Sequence, residues 1–373
     1  MKKYLKYMIL AVLALCVYKA IDKVLDKMYL GQYTINDYTD DTRFTTVNKV
    51  LDKRFKKSDV AILINTEYID QVVSTAPYAY SKNIPVFYTE KQKVLKPVYD
   101  EMEKLGVKKV ILVGGVNSLS ESVERSLERN GYKFERINES RGINFSIKIA
   151  EMMISDNKIS EIAVVTGDEF DLPNAISFSP YSQKNKIPIL VTSNTQNDYL
   201  KIKKLIRNNN INKVYLIGNE GYLNSNFDRL ANVKIQKIEG EDRYDFNKKL
   251  IKTIYGKSDN GNVYISKGGE LLHKRHIGSG QLINAIAISP LAADNDSPLL
   301  FIENNYFETQ ESQIVEKNGY KILNQVGFKI ERRNYFNIER MKNATTVVLI
   351  LISIMMVVRV SRNNSDEDNE KIF

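Results

Sequence analysis

Between residues 60 and 330 the chain alternates short, continuously apolar runs with longer stretches whose apolar positions recur at helical spacing. The first run, Val60-Ala61-Ile62-Leu63-Ile64, is followed by Val72, Val73, Ala76 and Tyr80 on one helical face and then by Pro85-Val86-Phe87-Tyr88. A helical stretch over 94–105, closed by Gly106, leads to Val110-Ile111-Leu112-Val113. Apolar runs of this length without alternation predict strands buried on both faces, and strands separated by helices predict a parallel sheet. Pro85, Pro188 and Pro298 stand where strands begin, a position that tolerates the missing amide donor. Ser118 with Glu121 has the spacing of a capping box and Asn130-Gly131 that of a helix stop, which predicts a helix over 119–129.

The same order recurs. NIPVFYT at 83–89 returns as KIPILVT, 103 residues later on the prolines, and again as DSPLLFI after a further 110. KKVILVGG at 108–115 returns as NKVYLIGN at 212–219, and DDTRFTTVNKVL, NESRGINFSIKIA and EGEDRYDFNKKLI put Arg43, Arg141 and Arg243 in register. Three landmarks sharing one period define three copies of a unit of about 100 residues, each long enough for its own core. The copies are read as modules over 35–137, 138–238 and 239–331. The second predicts strands at 162–165, 189–191 and 214–217. The third is worn: strands are expected at 263–265, 299–301 and 320–323, with no VGG-like turn.

Residues 1–34 and 332–373 flank the repeats. The first stretch has Lys2, Lys3 and Lys6 ahead of an apolar run over 8–18, the layout of a signal-like segment with no small-residue cleavage site. An uncharged apolar run over 344–358 lies between Lys342 and Arg359. Both are at the lower limit of spanning length, and they are read as transmembrane helices that anchor the chain. This reading predicts a cell-membrane localisation with residues 32–340 extracytoplasmic, although flanking Lys and Arg counts do not decide the orientation. The tail SRNNSDEDNEKIF is polar and has nothing to pack.

Composition narrows the chemistry. Of 373 residues, one is cysteine (Cys16) and two are histidine, which removes disulfide scaffolds and cysteine-based metal sites from the repeats. His273 and His276 stand in a Gly-rich loop without a carboxylate at ligand spacing. No metal or cofactor is expected. Neither histidine has a companion nucleophile in a GxSxG-type motif, so no catalytic triad can be assembled. Asp168, Glu169 and Asp171 follow the second copy's first strand, where α/β enzymes keep carboxylates, but the other copies do not repeat them and a solvated loop accounts for them. Gly114-Gly115 and Gly218 follow strands, where backbone amides can meet an anion or make a tight turn. Arg43, Arg141 and Arg243 either contact ligand or pair locally to hold modules together. The net charge of +9 is spread among carboxylates rather than gathered in a stripe, which argues against nucleic acid and suits weak multivalent attachment to an anionic polymer.

Three segments carry a resemblance. EGEDRYDFNKKL resembles the GxDRYxTA opening of the clostridial cell-wall-binding repeat type 2 family. ISFSPYSQKNKIPILVT and INAIAISPLAADNDSPLLF are similar to its DALSASPLAAKxxAPILLT stretch, and VKKVILVGGVNSLSESVERSLERNGYKFERI to its VYIVGGxxxVSxxVExxL segment. The resemblance covers approximately residues 36–330. It implies an α/β fold class of three tandem Rossmann-like or Toprim-like modules with parallel sheets, here flanked by N- and C-terminal transmembrane helices. It also implies noncovalent attachment to an anionic secondary cell-wall polymer of a Gram-positive envelope, without enzymatic activity. Arg43, Arg141, Arg243, Gly114, Gly115 and Gly218 are the residues expected to bind polymer or to join modules. The chain departs from the pattern at Gly142, which stands where the family has Tyr, and at Asn219, which replaces the second glycine of the pair. The alternatives are an envelope assembly or protein-docking module that has lost polymer binding, and a membrane-tethered enzyme acting on a sugar or phosphate.

Overall fold

A computed structural model of the chain describes Cys16, Ala20 and residues 29–332, without 157, 222, 224–226, 228, 229, 231, 270, 273–275 and 278. The first sheet holds β2 (Val60–Asn65), β3 (Val86–Thr89), β4 (Lys109–Val113) and β5 (Lys133–Ile137) in the order β3-β2-β4-β5, all parallel. Its central strand is the predicted one, and Ala61, Ile62 and Leu63 have no exposed surface because helices cover both faces. The second sheet repeats this order with β6 (Glu161–Thr166), β7 (Ile189–Thr192), β8 (Lys213–Asn219) and β9 (Lys234–Gly240). The third contains β10 (Asn262–Lys267), β13 (Leu299–Ile302) and β14 (Ile322–Gln325), with a small hairpin of β11 (Leu271–Leu272) and β12 (His276–Ile277) inserted after β10.

The fourth strand of the third sheet comes from the other end of the repeats. β1 (Thr34–Asp37) pairs in parallel with β14, Thr34 opposite Ile322 and Asp37 opposite Gln325. Thr34 N–H donates to Lys321 O at 2.8 Å, Tyr38 N–H donates to Gln325 O at 2.9 Å, and the Asn36 amide reaches Asn324 at 2.8 Å. The order β13-β10-β14-β1 therefore matches the other two sheets, with β1 in the place that β5 and β9 hold in theirs.

Each of these edge strands runs into a helix that begins near one of the recurring arginines: α1 (Arg43–Arg54), α5 (Ile143–Asp156) and α8 (Arg243–Ile254). The helix after each first strand is α2 (Ile69–Ser81), α6 (Leu172–Asn185) or α9 (Ser279–Asp294), and each carries an internal proline, Pro77, Pro180 or Pro290. These three helices pack on one another at the centre. On their outer sides α2 meets α5, α6 meets α8 and α9 meets α1, so each module lends a helix to its neighbour and the set closes on itself. One continuous apolar core includes Leu63, Val164 and Phe301 from the three sheets. A buried bond from Gln183 Nε2 to Ser289 Oγ at 2.6 Å crosses it between α6 and α9. The outer helices α3 (Lys96–Leu105), α4 (Glu121–Arg129), α7 (Gln196–Asn208) and α10 (Thr309–Lys317) complete the layers.

Several expectations need correction. The flanking transmembrane helices are not supported: among the described residues no helix is long and apolar enough to cross a membrane. The longest, α9, has 16 residues, short of the roughly 20 that a bilayer core requires, and its faces are taken by α1, α2 and α6. The apolar runs 8–18 and 344–358 lie outside the described residues. The cell-membrane localisation, with residues 32–340 extracytoplasmic, loses its support with those helices. The third copy does keep its last strand and turn: β14 is followed by Val326-Gly327, with Gly327 at φ +76°. Ser118 makes no capping box, because α4 starts after Ser120 and Ser118 is buried in the turn, where its carbonyl accepts from Asn65.

Candidate functional site

In each sheet the chain leaves the first strand on one side and returns for the third on the other, so β2/β4, β6/β8 and β10/β14 mark the switch points where α/β sheets open a crevice. Gly114 stands there after β4 at φ +84°, a backbone conformation that favours glycine. A Cβ on it would lie 2.5 Å from both Gln71 Nε2 and Ser118 Oγ, so the crevice floor is filled by the α2 side chain rather than open. Arg136, 10% exposed, donates to Gly114 O at 2.7 Å and to Leu119 O at 2.9 Å while pairing with Glu124 at 2.6 Å. Gly115 has ordinary φ, and its Cβ would touch only Asn138 Oδ1 at 3.0 Å.

The two glycines should therefore respond differently. Gly114→Ala combines left-handed strain with overpacking and is expected to cost about 2 to 3 kcal/mol. Gly115→Ala is expected to cost less than about 1 kcal/mol, since one amide oxygen must move by a few tenths of an ångström. Urea denaturation of the two variants checks this, and equal losses would mean the turn is not shaped by Gln71.

In the second module the same place is held by Asp171. Its carboxylate has no exposed surface and accepts from Thr166 Oγ1 at 2.6 Å, Asn219 N–H at 2.5 Å and Asn174 Nδ2 at 3.2 Å. Burial raises its pKa above the ordinary carboxylate value, against the pull of these three hydrogen bonds. A Cβ on Gly218 would come within 2.9 Å of this carboxylate, so Gly218 makes room for it. The carboxylate is thus consumed inside the protein, unlike the solvated loop expected at 168–171. Asp168 and Glu169 are exposed as expected, Asp168 accepting from Phe170 N–H at 2.8 Å. The third module repeats the arrangement with Asn284 against Gly327. Gln71, Asn174 and Asn284 all stand six residues before the helix proline, a register visible in the sequence once the prolines are aligned.

Two of the recurring arginines, Arg141 and Arg43, reach into a neighbouring module, while Arg243 bonds within its own. Arg141 pairs with Asp70 of α2, Nη2 to Oδ1 at 2.7 Å and Nε to both oxygens at 3.2 Å, and its guanidinium lies 3.9 Å above the Tyr68 ring. The Arg141 side chain is half exposed and Asp70 is buried. Arg43 stacks 4.9 Å over Phe44 and passes Gly280 at the start of α9. Arg243 is 7% exposed and donates from Nη1 to Gly268 O at 2.8 Å and Gly269 O at 3.1 Å. Desolvation lowers its pKa, and Tyr244, Asp242 and Glu169 offset part of that. The six residues singled out in the sequence thus lie in strand-end turns or at seams, spread over three modules rather than gathered into one pocket.

Comparison with known proteins accords with this threefold plan. The family model described as Cell wall binding domain 2 (CWB2) matches residues 39–124, 142–228 and 237–329, and the third match includes β14 and Gly327. The chain is 24% identical over 227 residues to the N-acetylmuramoyl-L-alanine amidase LytC of Bacillus subtilis, covering 61% of this chain and 44% of that protein. It is 25% identical over 244 residues to the amidase enhancer of the same organism, covering 63% of this chain and 33% of that protein. The chain thus spans less than half the length of these two relatives. Among solved structures, Cwp8 from Clostridium difficile superposes with a TM-score of 0.67 at 25% identity, over 84% of this chain and 52% of that one. Cwp6 from the same organism reaches 0.69 at 19% identity, over 80% and 46%, which is a likeness of fold. The matched domain is a binding domain of cell walls, and it replaces the membrane localisation read from the sequence with association with the wall. Matched in all three of its modules, the chain belongs to the Cell wall binding domain 2 (CWB2) family.

Proposed function

We propose that the three modules, over 35–137, 138–238 and 239–331, hold the chain noncovalently to an anionic secondary polymer of a Gram-positive cell wall, with no chemistry of their own. The observation that carries this reading is the threefold match to a wall-binding family. The buried Asp171 adds to it, because the carboxylate best placed for catalysis accepts hydrogen bonds from Thr166, Asn174 and Asn219 instead of facing a crevice. The net charge of +9 supplies the attraction that a polyanion needs, and repetition turns weak contacts into retention. Of the two roles open to Arg43, Arg141, Arg243, Gly114, Gly115 and Gly218, joining and shaping the modules is favoured by their contacts with Asp70, Gly268, Gly280, Gln71 and Asp171.

The test is sedimentation of the full chain with isolated Gram-positive walls before and after their anionic polymers are stripped. Retention on intact walls that falls with added salt and disappears on stripping is the expected result. Retention that survives stripping would transfer the target to peptidoglycan. A folded chain that stays in the supernatant would refute wall binding.

A further inference from the structure

At the amino ends of the strands, opposite the switch points, the first and second modules carry equivalent grooves. In the first module the groove runs between the end of α3 and the start of β5 and is lined by Tyr99, Glu103, Lys108, Lys109 and Lys133, with a volume of about 720 Å³. In the second it runs beside the end of α7 with a volume of about 710 Å³, lined by Leu200, Lys203, Lys204, Arg207, Asn210 and Asn212 among others. Size does not distinguish them, but charge does.

Gly106, Asn210 and Gly319 end their helices in the left-handed conformation and align the three modules. Three residues before each stands Glu103, Arg207 or Glu316, so the second module reverses the charge of the other two. In the first groove Lys108 is neutralised by Asp59 at 2.8 Å and Lys109 by Glu135 at 2.5 Å. In the second, no carboxylate is among the described lining residues. Lys203, Lys204 and Arg207 are exposed, and among the described residues none of them has an ion pair or hydrogen bond. The helix dipole accounts for a cation in the last turn, where Arg207 stands, but not for Lys203 and Lys204 further back. Lys203 and Arg207 are also four residues apart on one helix face, a repulsive pairing that no described residue offsets. Leu200, 53% exposed, forms the apolar rim. Three cations without a partner among the described residues thus line one groove of one module.

We propose that the groove beside α7 is a subsite for an anionic repeat of a wall saccharide polymer. Lys203, Lys204 and Arg207 take its charges and Leu200 covers the carbon face of a sugar ring. The assignment rests on the wall-polymer reading above and narrows it to one module. The subsite works without the strand-end crevices, which the protein fills with its own side chains.

The full chain with Lys203→Ser, Lys204→Ser and Arg207→Ser is compared with a control carrying Lys53→Ser, Lys148→Ser and Lys252→Ser. The control removes the same charge from exposed positions on α1, α5 and α8. Binding is read by sedimentation on intact Gram-positive walls across a salt series, and all six sites are exposed enough that both variants should keep the parent melting temperature. The α7 variant is expected to lose roughly tenfold or more in affinity and to flatten the salt dependence, while the control keeps most of both. Equal losses in the two variants overturn the subsite and leave the wall reading standing, since net charge alone would then explain retention. Failure of the parent chain to sediment overturns the wall reading and the subsite with it. Competition with soluble polyphosphate against polygalacturonate tells whether phosphate or carboxylate is the group taken, and a parent chain displaced by neither at matched charge would also count against the subsite.

Discussion

Asn247→Ala should lower the stability of the folded chain by about 4 kcal/mol, the largest loss expected from any single substitution considered. Asn247 has no exposed surface, and its one side chain joins three elements. Nδ2 donates to Ser177 Oγ of α6 and to Leu299 O of β13, each at 2.7 Å, and Oδ1 accepts from Phe301 N–H of β13 at 2.9 Å. β13 is an edge strand, so this amide substitutes for a missing neighbouring strand while tying the second module to the third. Truncation leaves a buried N–H, a carbonyl and a hydroxyl to find new partners, at about 1 to 3 kcal/mol each, and opens a small cavity. Ser177→Ala removes only the hydroxyl contact and should cost about 1 kcal/mol. A double-mutant cycle by urea denaturation checks the pair. A loss below about 1 kcal/mol for Asn247→Ala would mean that water replaces the amide, and that apolar packing and the Gln183–Ser289 bond suffice to hold the second and third modules.

Removing β1 should have a comparable global effect and a larger local one. A chain beginning at Thr39 loses the β14 ladder, the Asn36–Asn324 bond and the packing of Leu30 and Tyr33 on the third module's outer core. Four paired residues at about 0.5 to 1.5 kcal/mol per bond, less the entropy of ordering them, come to about 3 kcal/mol. The effect should be concentrated where β14 becomes the edge. Amide exchange over 322–325 is expected to accelerate by roughly a hundredfold, while β2 and β6 stay protected. A peptide covering residues 31–39 added in trans should restore the protection. Unchanged exchange at β14 in the shortened chain would show that the pairing contributes nothing to the third sheet.

The two variants also mark what could be read in advance. Central strands were legible because burial on both faces demands uninterrupted apolar runs, and β2, β6 and β10 lie where 60–64, 162–165 and 263–265 put them. β1 was not, because all four residues of Thr34–Asp37 are exposed and the strand is held by backbone bonds that leave no pattern in side chains. The end of the third copy was read at 320–323 instead of Ile322–Gln325 because Tyr320 is buried with the outer core and mimics a strand residue. Polar Asn324 and Gln325 then disguised the true strand end, and with it the turn at Gly327. The arginine register was legible from alignment, but their partners were not. Asp70 is 71 residues from Arg141, and no local signal connects them. Asp171 was misplaced for the same reason: its burial depends on Asn219, 48 residues away, and on the side chain that Gly218 lacks. The α7 cations were visible one by one. Their lack of partners among the described residues is a property of space, not of order along the chain.

The pairing of β1 with β14 also determines how the assembly meets mechanical load. The two strands lie side by side and run in the same direction, yet one is the first strand of the repeats and the other the last. A pull applied through the segments before Thr34 and after Gln325 therefore acts on opposite ends of neighbouring strands. It slides them past each other and strains the whole ladder at once, where an antiparallel hairpin would unzip bond by bond. For a protein held to a wall that stretches as the cell grows, the tug on its ends is borne first by the joint that closes the ring.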